Sequence, residues 1–311
     1  RELADPSYRV DTIAIGTKKF TEGAILGELM AQVLEQHAGV RVSRRFNLGG
    51  TNVAFDALRT GAIDGYAEYT GTGLRDILHD TSAVDGPADA FARVSSAFSE
   101  YELTWLAPFG FNNTYVLIMR SDRARALKIG SVSDAAQHRL RYGVSHEFLQ
   151  RQDGMPGLLR VYGLQAESVV GMEHDLAYRA LAEGAIDVSD GYSTDAKLAA
   201  GSLVVLRDDK GFFPPYEAAP LVRQDLLARI PRAAAALQLL AGRIDDAAMR
   251  EIIQDYTREA GVRSLERLIG QALRHAAVRI AEGGSGPIRI GRDDLQAILG
   301  APQFESETAM R

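Results

Sequence analysis

An eight-residue pattern that occurs twice constrains the fold of this chain more than any other feature of its sequence. Residues 57–64 read ALRTGAID, and residues 180–187, which lie 123 positions later, read ALAEGAID. Each copy combines the end of a helix, a glycine suited to close that helix, and the start of a short strand. The sequence therefore predicts two units of similar architecture within one chain.

The segments before each copy follow the same order of elements. A strand, an amphipathic helix over about 21–37 and a second strand precede the first copy. A strand, a helix over about 156–162 and a second strand precede the second copy. Parallel βαβαβ units place their ligand-binding loops at the carboxyl ends of the strands. We therefore expect an α/β protein whose two lobes enclose a cleft.

The domain boundaries follow from where the chain would cross between these units. We expect two crossings, so that the first lobe is built from two separate parts of the chain. The predicted domains are lobe I (1–117 and 217–248), lobe II (118–216) and a C-terminal tail (249–311).

Composition argues against several classes of protein. A formal net charge of −6 offers no basic surface for nucleic acid or an anionic membrane. The chain has no cysteine, which excludes disulfides, thiolate metal sites and thiol catalysis. No stretch approaches the roughly 18 uncharged apolar residues of a membrane-spanning helix. The sequence starts at Arg1 without an initiator methionine, so we expect a mature or trimmed form.

Motifs of catalysis are missing from the sequence. The six histidines are scattered without metal-ligand spacing. Neither a phosphate-binding loop ending in Gly-Lys-Ser/Thr nor a Gly-x-Ser-x-Gly elbow occurs. We therefore predict a protein without catalytic residues, metal or cofactor, which is not an enzyme.

Four tyrosines stand in unusual places, directly after predicted strand ends or beside turn residues: Tyr69, Tyr115, Tyr192 and Tyr216. All four belong on the cleft side of a two-lobe fold. Several aromatic faces around one volume can hold a quaternary ammonium, and each desolvated face contributes roughly 0.5 to 2 kcal/mol. A trimethylammonium group cannot donate ordinary hydrogen bonds, so rings suit it better than carboxylates. The tyrosines therefore predict a cage for such a cation.

Five motifs in order make residues 12 to about 245 resemble the substrate-binding proteins of osmoprotectant ABC importers for glycine betaine, choline and carnitine. They are IGTKKFTE at 15–22, LGGTN at 48–52, EYTGTG at 68–73, FNNTY at 111–115 and GYSTD at 191–195. The resemblance implies the two-lobe periplasmic-binding-protein (type II) fold, here with a mainly α-helical C-terminal extension. It also implies capture of the osmolyte by hinge closure, delivery to an ABC transporter permease in the membrane, and a periplasmic or extracytoplasmic location. We expect a monomer.

The resemblance also implies roles for single residues. The four cage tyrosines of the family match those identified above. The family's polar residue that tunes choline against broader specificity falls on Asn52, and its carboxylate-binding lysine, threonine and arginine fall on Lys18, Thr72 and Arg151. If Lys18 and Arg151 both reach the cleft, a charge-assisted pair would hold a ligand carboxylate opposite the rings. A zwitterion would then bind better than choline.

The tail resembles a different family. Residues 251–267 (EIIQDYTREAGVRSLER) and 288–299 are similar to the small α-helical ATPase subdomain of the Lon family of ATP-dependent proteases, with Arg263 at the position of a nucleotide-sensing arginine. The sequence has neither the phosphate-binding loop nor the Ser-Lys protease domain of such an enzyme. The tail is interpreted as a fusion, a gene-boundary accident or a chimera.

Two alternatives remain open at this point. The tail would permit an ATPase-associated module or remnant related to Lon protease, without catalytic activity of its own. The two-lobe fold would also permit the ligand-sensing domain of a regulator, although no DNA-binding helix-turn-helix is visible in the sequence.

Overall fold

The computed structural model describes residues 11–195, 197–198 and 201–256. Most of the predicted tail, including Arg263, lies outside the described residues. The last described helix begins at Asp246 and is described as far as Tyr256.

Two mixed sheets of five strands each form the frame of the described residues. The strands are β1 (Thr12–Gly16), β2 (Arg41–Arg45), β3 (Gly65–Tyr69), β4 (Leu103–Trp105), β5 (Tyr115–Arg120), β6 (Leu140–Ser145), β7 (Ala166–Met172), β8 (Val188–Tyr192), β9 (Leu203–Leu206) and β10 (Ala218–Arg223). The first sheet has the order β2-β1-β3-β10-β4, and the second has the order β7-β6-β8-β5-β9.

Helices connect these strands and cover the sheets. They are α1 (Thr21–His37), α2 (Thr51–Arg59), α3 (Thr70–Thr72, continued by a π-turn over Gly73–Ile77), α4 (Gly86–Ala97, continued by a 3₁₀ turn over Phe98–Tyr101), α5 (Ser121–Leu127), α6 (Val132–Ala135), α7 (His146–Gln150), α8 (Met155–Tyr162), α9 (His174–Ala182), α10 (Gln224–Arg229), α11 (Pro231–Gln238) and α12 (Asp246–Tyr256).

The two sheets are copies of one pattern, which confirms the two-lobe α/β fold predicted from the repeat. In the first sheet, β1 lies parallel to β2 and β3, and β10 is antiparallel to β3 and β4. In the second sheet, β6 lies parallel to β7 and β8, and β5 is antiparallel to β8 and β9. Because β10 returns to the first sheet after the whole second sheet is complete, the first lobe is formed by two separate parts of the chain.

The aspartate that ends each eight-residue copy, Asp64 or Asp187, has the same structural role in its lobe. The carboxylate of Asp64 accepts a hydrogen bond of 2.7 Å from the backbone N–H of Ala14 in β1. The carboxylate of Asp187 accepts the equivalent bond of 3.0 Å from the N–H of Arg141 in β6. Each aspartate satisfies a backbone donor at the strand next to its own, so both copies of the motif hold a lobe together in the same way.

The isoleucine before each aspartate packs against a glycine of the adjacent strand. A Cβ atom on Gly16 would lie 2.5 Å from Cδ1 of Ile63, and a Cβ atom on Gly143 would lie 2.7 Å from Cδ1 of Ile186. Real Cβ atoms do not approach another carbon so closely, so the isoleucine fills the space that a side chain would take.

Helix α12 packs on the first lobe. Ala248 and Met249 are fully buried, and Ile252 and Ile253 pack against the same hydrophobic cluster. This cluster also contains Leu26 of α1. The first turns of the predicted tail therefore contribute to the core of lobe I. Within the described part of the chain, the helices are too short or too polar to span a bilayer.

The close approach at Gly143 predicts that adding a methyl group there destabilises the protein more than adding one at a glycine with open space around it. We expect Gly143→Ala to destabilise the protein by about 1 to 3 kcal/mol, because Ile186 and Met172 must move. Gly130→Ala is the matched control, since the nearest atom to its Cβ would be Asp134 Oδ2 at 3.8 Å. Urea unfolding measures both variants, and equal midpoints would contradict the prediction.

Candidate ligand-binding cleft

A cavity of about 620 Å³ lies between the two lobes. Its walls are the loops and helix starts that follow the strands of both sheets. It brings together all eight residues that the sequence analysis assigned to ligand binding: Lys18, Asn52, Tyr69, Thr72, Tyr115, Arg151, Tyr192 and Tyr216. These residues come from seven separate segments of the chain, and the fold alone makes them neighbours.

The sheet geometry explains how the four tyrosines meet. Tyr69 ends β3 and Tyr192 ends β8, so the two residues hold equivalent positions in the two lobes, 123 positions apart like the repeat itself. Tyr115 begins the antiparallel strand β5 and is the register partner of Tyr192. Tyr216 lies just before β10, the equivalent antiparallel strand of the first sheet. An antiparallel strand starts at the same side of the sheet at which its neighbouring strand ends. The two tyrosines of each sheet therefore lie side by side at the end of the sheet that faces the cleft.

The rings form one connected aromatic group. The ring centroid of Tyr115 lies 5.3 Å from that of Tyr192 and 5.8 Å from that of Tyr216, the latter pair at 88°. All four tyrosines are at least partly buried, and burial raises the pKa of each phenol well above its ordinary value. The rings therefore present uncharged faces to the cleft at physiological pH.

Phe20 is a fifth ring that the sequence analysis missed. Its centroid lies 6.1 Å from Tyr69 and 5.9 Å from Tyr192, so it stands between the tyrosines of the two lobes. It lines the cavity and precedes α1 with an extended backbone. The signal was present in the sequence, because Phe20 follows a strand end within the IGTKKFTE motif, as the cage tyrosines follow theirs.

Lys18 reaches the cavity but already has an anionic partner. Its Nζ lies 2.5 Å from Oε1 of Glu68 and 3.1 Å from Oγ1 of Thr51. Glu68 is completely buried and accepts a further hydrogen bond of 2.8 Å from the hydroxyl of Tyr66. The charge of Lys18 is therefore balanced within lobe I before any ligand arrives.

Arg151 is paired even more extensively. Its guanidinium donates to both carboxylate oxygens of Asp153, at 2.8 and 2.5 Å, and Nη1 lies 3.2 Å from Oε1 of Glu147. Nη2 also donates to Oγ1 of Thr72 in lobe I at 3.4 Å. Nearby Asp76, 3.4 Å from Nη1, has a pKa raised by burial, although the charge of Arg151 acts against this shift.

Glu147 joins the two lobes at the cleft, and the sequence analysis did not identify it. Its Oε1 accepts a hydrogen bond of 2.7 Å from Thr51 at the start of α2. Burial opposes the charge of this carboxyl, but Lys18 and Arg151 hold its pKa below the ordinary value. Thr51 and Glu147 are therefore linked across the cleft by a charged hydrogen bond, whereas Asn52, the next residue along α2, is exposed on the cavity wall.

A histidine on the cavity wall packs against one ring of the cage. The imidazole of His174 lies 5.0 Å from the ring of Tyr192, and its Nε2 lies 3.0 Å from Oδ2 of Asp195. Burial lowers the pKa of His174, but the hydrogen bond and charge of Asp195 outweigh it and raise the pKa above its ordinary value. Asp195 also accepts the backbone N–H of Tyr192 at 2.9 Å, which fixes this end of β8.

Glu22 lies behind the cage. Its Oε1 accepts hydrogen bonds from the hydroxyl of Tyr69 at 2.5 Å and from Nδ2 of Asn113 at 2.9 Å, and its Oε2 accepts from Oγ1 of Thr194 at 2.8 Å. Burial raises the pKa of Glu22 to about 7, although these three hydrogen bonds lower it. The carboxyl is thus bonded to the first lobe, the second lobe and the segment that joins them.

Two similar lobes around a cleft lined with ligand-binding groups define a solute-binding protein. The model of the family described as the substrate binding domain of the ABC-type glycine betaine transport system matches residues 11–263, and the chain belongs to this family. The match extends past Met249, where α12 packs on lobe I.

Individual relatives agree with the family. The carnitine transport binding protein OpuCC of Listeria monocytogenes is 34% identical over 247 residues, which cover 78% of this chain and 80% of that protein. A glycine-betaine-binding protein of Pseudomonas aeruginosa is 36% identical over 257 residues, 78% of this chain and 82% of that protein. The crystal structure of a glycine betaine/carnitine/choline ABC transporter protein superposes with a TM-score of 0.67 at 28% identity and covers 85% of this chain and 98% of that one.

The predicted second resemblance is also confirmed. A Lon protease of Phenylobacterium zucineum is 60% identical over 68 residues, which are 22% of this chain and 9% of that protease. The similarity is high but covers a small part of both proteins. The chain therefore combines a solute-binding domain with a short piece that is similar to Lon.

The ion pair of Lys18 predicts that this lysine is needed for stability as well as for any ligand contact. We expect Lys18→Met to destabilise the protein by about 3 to 5 kcal/mol, because it leaves the charge of Glu68 buried without a cation. Lys19→Met is the matched control, since Lys19 is exposed and should change stability by less than about 0.5 kcal/mol. Thermal unfolding measures the stability of both variants, and similar melting temperatures would refute the structural role of Lys18.

Proposed function

We propose that the protein captures a quaternary-ammonium osmolyte (glycine betaine, choline or carnitine) in this cleft and delivers it to the permease of an ABC importer. It acts as a monomer outside the cytoplasmic membrane, binds the osmolyte without transforming it, and does not bind nucleic acid. Family membership supports the general role, and the aromatic group in the cleft supports the choice of ligand.

The observation that carries the proposal is the convergence of four tyrosines on one cavity, two from each sheet edge. A quaternary ammonium has no N–H to donate, and its charge is spread over methyl groups that pack well on ring faces. Phe20 adds a further face between Tyr69 and Tyr192.

The polar wall of the cavity is proposed to hold the other end of the ligand. Lys18, Thr72 and Arg151 line it together, with Asn52 at its exposed side. Both cations are already paired with carboxylates, so a ligand carboxylate has to share them with Glu68 and Asp153. Two unpaired cations would bind a zwitterion much more tightly than choline. Because both cations already have partners, we expect the difference in affinity between the two ligands to be smaller.

Hinge closure is proposed to complete the site. The bonds from Thr51 to Glu147 and from Arg151 to Thr72 cross between the lobes, so they form only when the lobes come together. A ligand that contacts rings of both lobes favours this closed form, since it binds the open form with only half of the cage.

The cage hypothesis predicts that ring character, rather than the hydroxyl, binds the cation. We expect Tyr192→Leu to weaken binding roughly 2- to 30-fold, because one face contributes about 0.5 to 2 kcal/mol. Tyr192→Phe keeps the ring and should bind within about threefold of wild type. Isothermal titration with glycine betaine, choline and carnitine measures this, and the double variant Tyr69→Ala, Tyr192→Ala should lose binding. Equal loss in the Leu and Phe variants, or silence of the wild-type protein with all three ligands, would refute the cage.

The polar wall predicts a difference between ligands. Lys18→Gln also leaves Glu68 without a cation, but its amide can still donate to Glu68, and thermal unfolding verifies that the variant is folded. A hydrogen bond from a charged group contributes about 1.5 to 3 kcal/mol. We therefore expect glycine betaine to bind roughly tenfold more weakly or worse, while choline, which has no carboxylate, binds as well as before. Titration of both ligands against the variant and the wild-type protein gives the change in the ratio of the two affinities. An unchanged affinity for glycine betaine would remove Lys18 from the site.

A further inference from the structure

Glu22 is an unusual carboxyl in this cleft. It is 2% exposed, and the hydrogen bonds from Tyr69, Asn113 and Thr194 occupy both of its oxygens. Among the described residues, all of its hydrogen-bond partners are neutral, and no ion pair includes it.

Two other buried glutamates have cationic partners. Glu28 on the same helix is paired with Arg44 at 2.8 Å, and Glu68 is paired with Lys18 at 2.5 Å. An ionised carboxylate without a cation is costly to bury, and hydrogen bonds from neutral groups offset only part of that cost. Glu22 lacks the positive charge that balances Glu28 and Glu68, and it lies directly behind a ring of the cage.

We infer that Glu22 is the buried counterion of the bound quaternary ammonium and that binding of the cation releases a proton from this carboxyl. The inference rests on the proposed function. The cation in the cage and the carboxyl are separated by the ring of Tyr69, whose hydroxyl donates to Glu22. A cation on that ring attracts the ionised carboxylate, and the ionised carboxylate makes the phenol more electron-rich and its face a better partner for the cation.

The protonation state of Glu22 in the free protein determines whether affinity rises or falls with pH. Burial raises the pKa of Glu22 to about 7, so near neutral pH a large fraction of the free protein carries the proton. The cation favours the ionised form and lowers this pKa, and the proton leaves for the solvent. Affinity therefore rises with pH through about 7 and levels off above about pH 8. If the bound form is fully ionised, affinity is about tenfold weaker at pH 6 than at pH 8.

Other titratable groups near the cage have to be distinguished from Glu22. Asp190 is also fully buried, with hydrogen bonds from the backbone N–H and the hydroxyl of Ser145, and burial raises its pKa, so Asp190→Asn is a further control. Asp195 faces it from the loop after β8 and disfavours its charge. Lys18 lies on the other side, with its Nζ 5.4 Å from the centre of the Tyr69 ring, and it is balanced by Glu68. Burial keeps the phenol of Tyr69 protonated throughout the range. His174 contacts Asp195, which raises its pKa above the ordinary value, so it needs its own control.

Isothermal titration of the full chain with choline and with glycine betaine, neither of which titrates between pH 5.5 and 8.5, tests the inference. Repeating each titration in buffers of different ionisation enthalpy counts the protons released. We expect about half a proton at pH 7 and about tenfold tighter binding at pH 8 than at pH 6. Glu22→Gln, which has the same shape and can still accept from Tyr69, should release no proton and show a flat profile.

His174→Gln is the matched control and should keep the proton release and most of the pH dependence. Thermal unfolding of each variant verifies that it is folded. Wild-type binding without proton release, or a pH dependence that disappears in His174→Gln and persists in Glu22→Gln, would overturn the role of Glu22 and leave the proposed function intact. Absence of binding to both ligands at every pH would overturn the proposed function and the inference with it.

Discussion

An ionised side chain can be buried only if another group compensates its charge, and the organisation of the cleft depends on this constraint. Lys18 needs Glu68, and Arg151 needs Asp153 and Glu147. Because several of these groups also contact the opposite lobe, compensation within the site is coupled to the approach of the lobes. The polar wall is therefore a network of paired charges that includes residues of both lobes. Such networks give a site its shape more than its affinity.

The sequence predicted the architecture well because the relevant signals are local. The two ALxxGAID copies mark a helix end and a strand start within eight residues, and the two sheets follow the same order of strands. The tyrosines were also predictable, since each stands next to a strand end. The helix bounds Thr21–His37 agree with the apolar spacing of α1.

The parts of the site that could not be predicted from the sequence depend on contacts between residues far apart in the chain. Glu22 and Thr194 are 172 positions apart, and Thr51 and Glu147 are 96 positions apart. Periodicity in one segment contains no information about such pairs. The same limit affected Lys18 and Arg151. They were expected to hold a ligand carboxylate together, but their own carboxylate partners became visible only once Glu68 and Asp153 were placed in space. The tail presents the opposite case, since its similarity to Lon was evident while α12 also contributes Met249 to the core of lobe I.

The duplication of the lobes also governs how long a ligand stays bound. Tyr69 and Tyr192 occupy equivalent positions, and each sheet edge brings one further tyrosine, so neither lobe encloses a cation alone. A ligand held on all sides cannot leave through a gap in the cage and has to wait until the lobes separate. The rate of opening therefore sets the residence time, and changes far from the rings that loosen the hinge would shorten it without altering a single ligand contact.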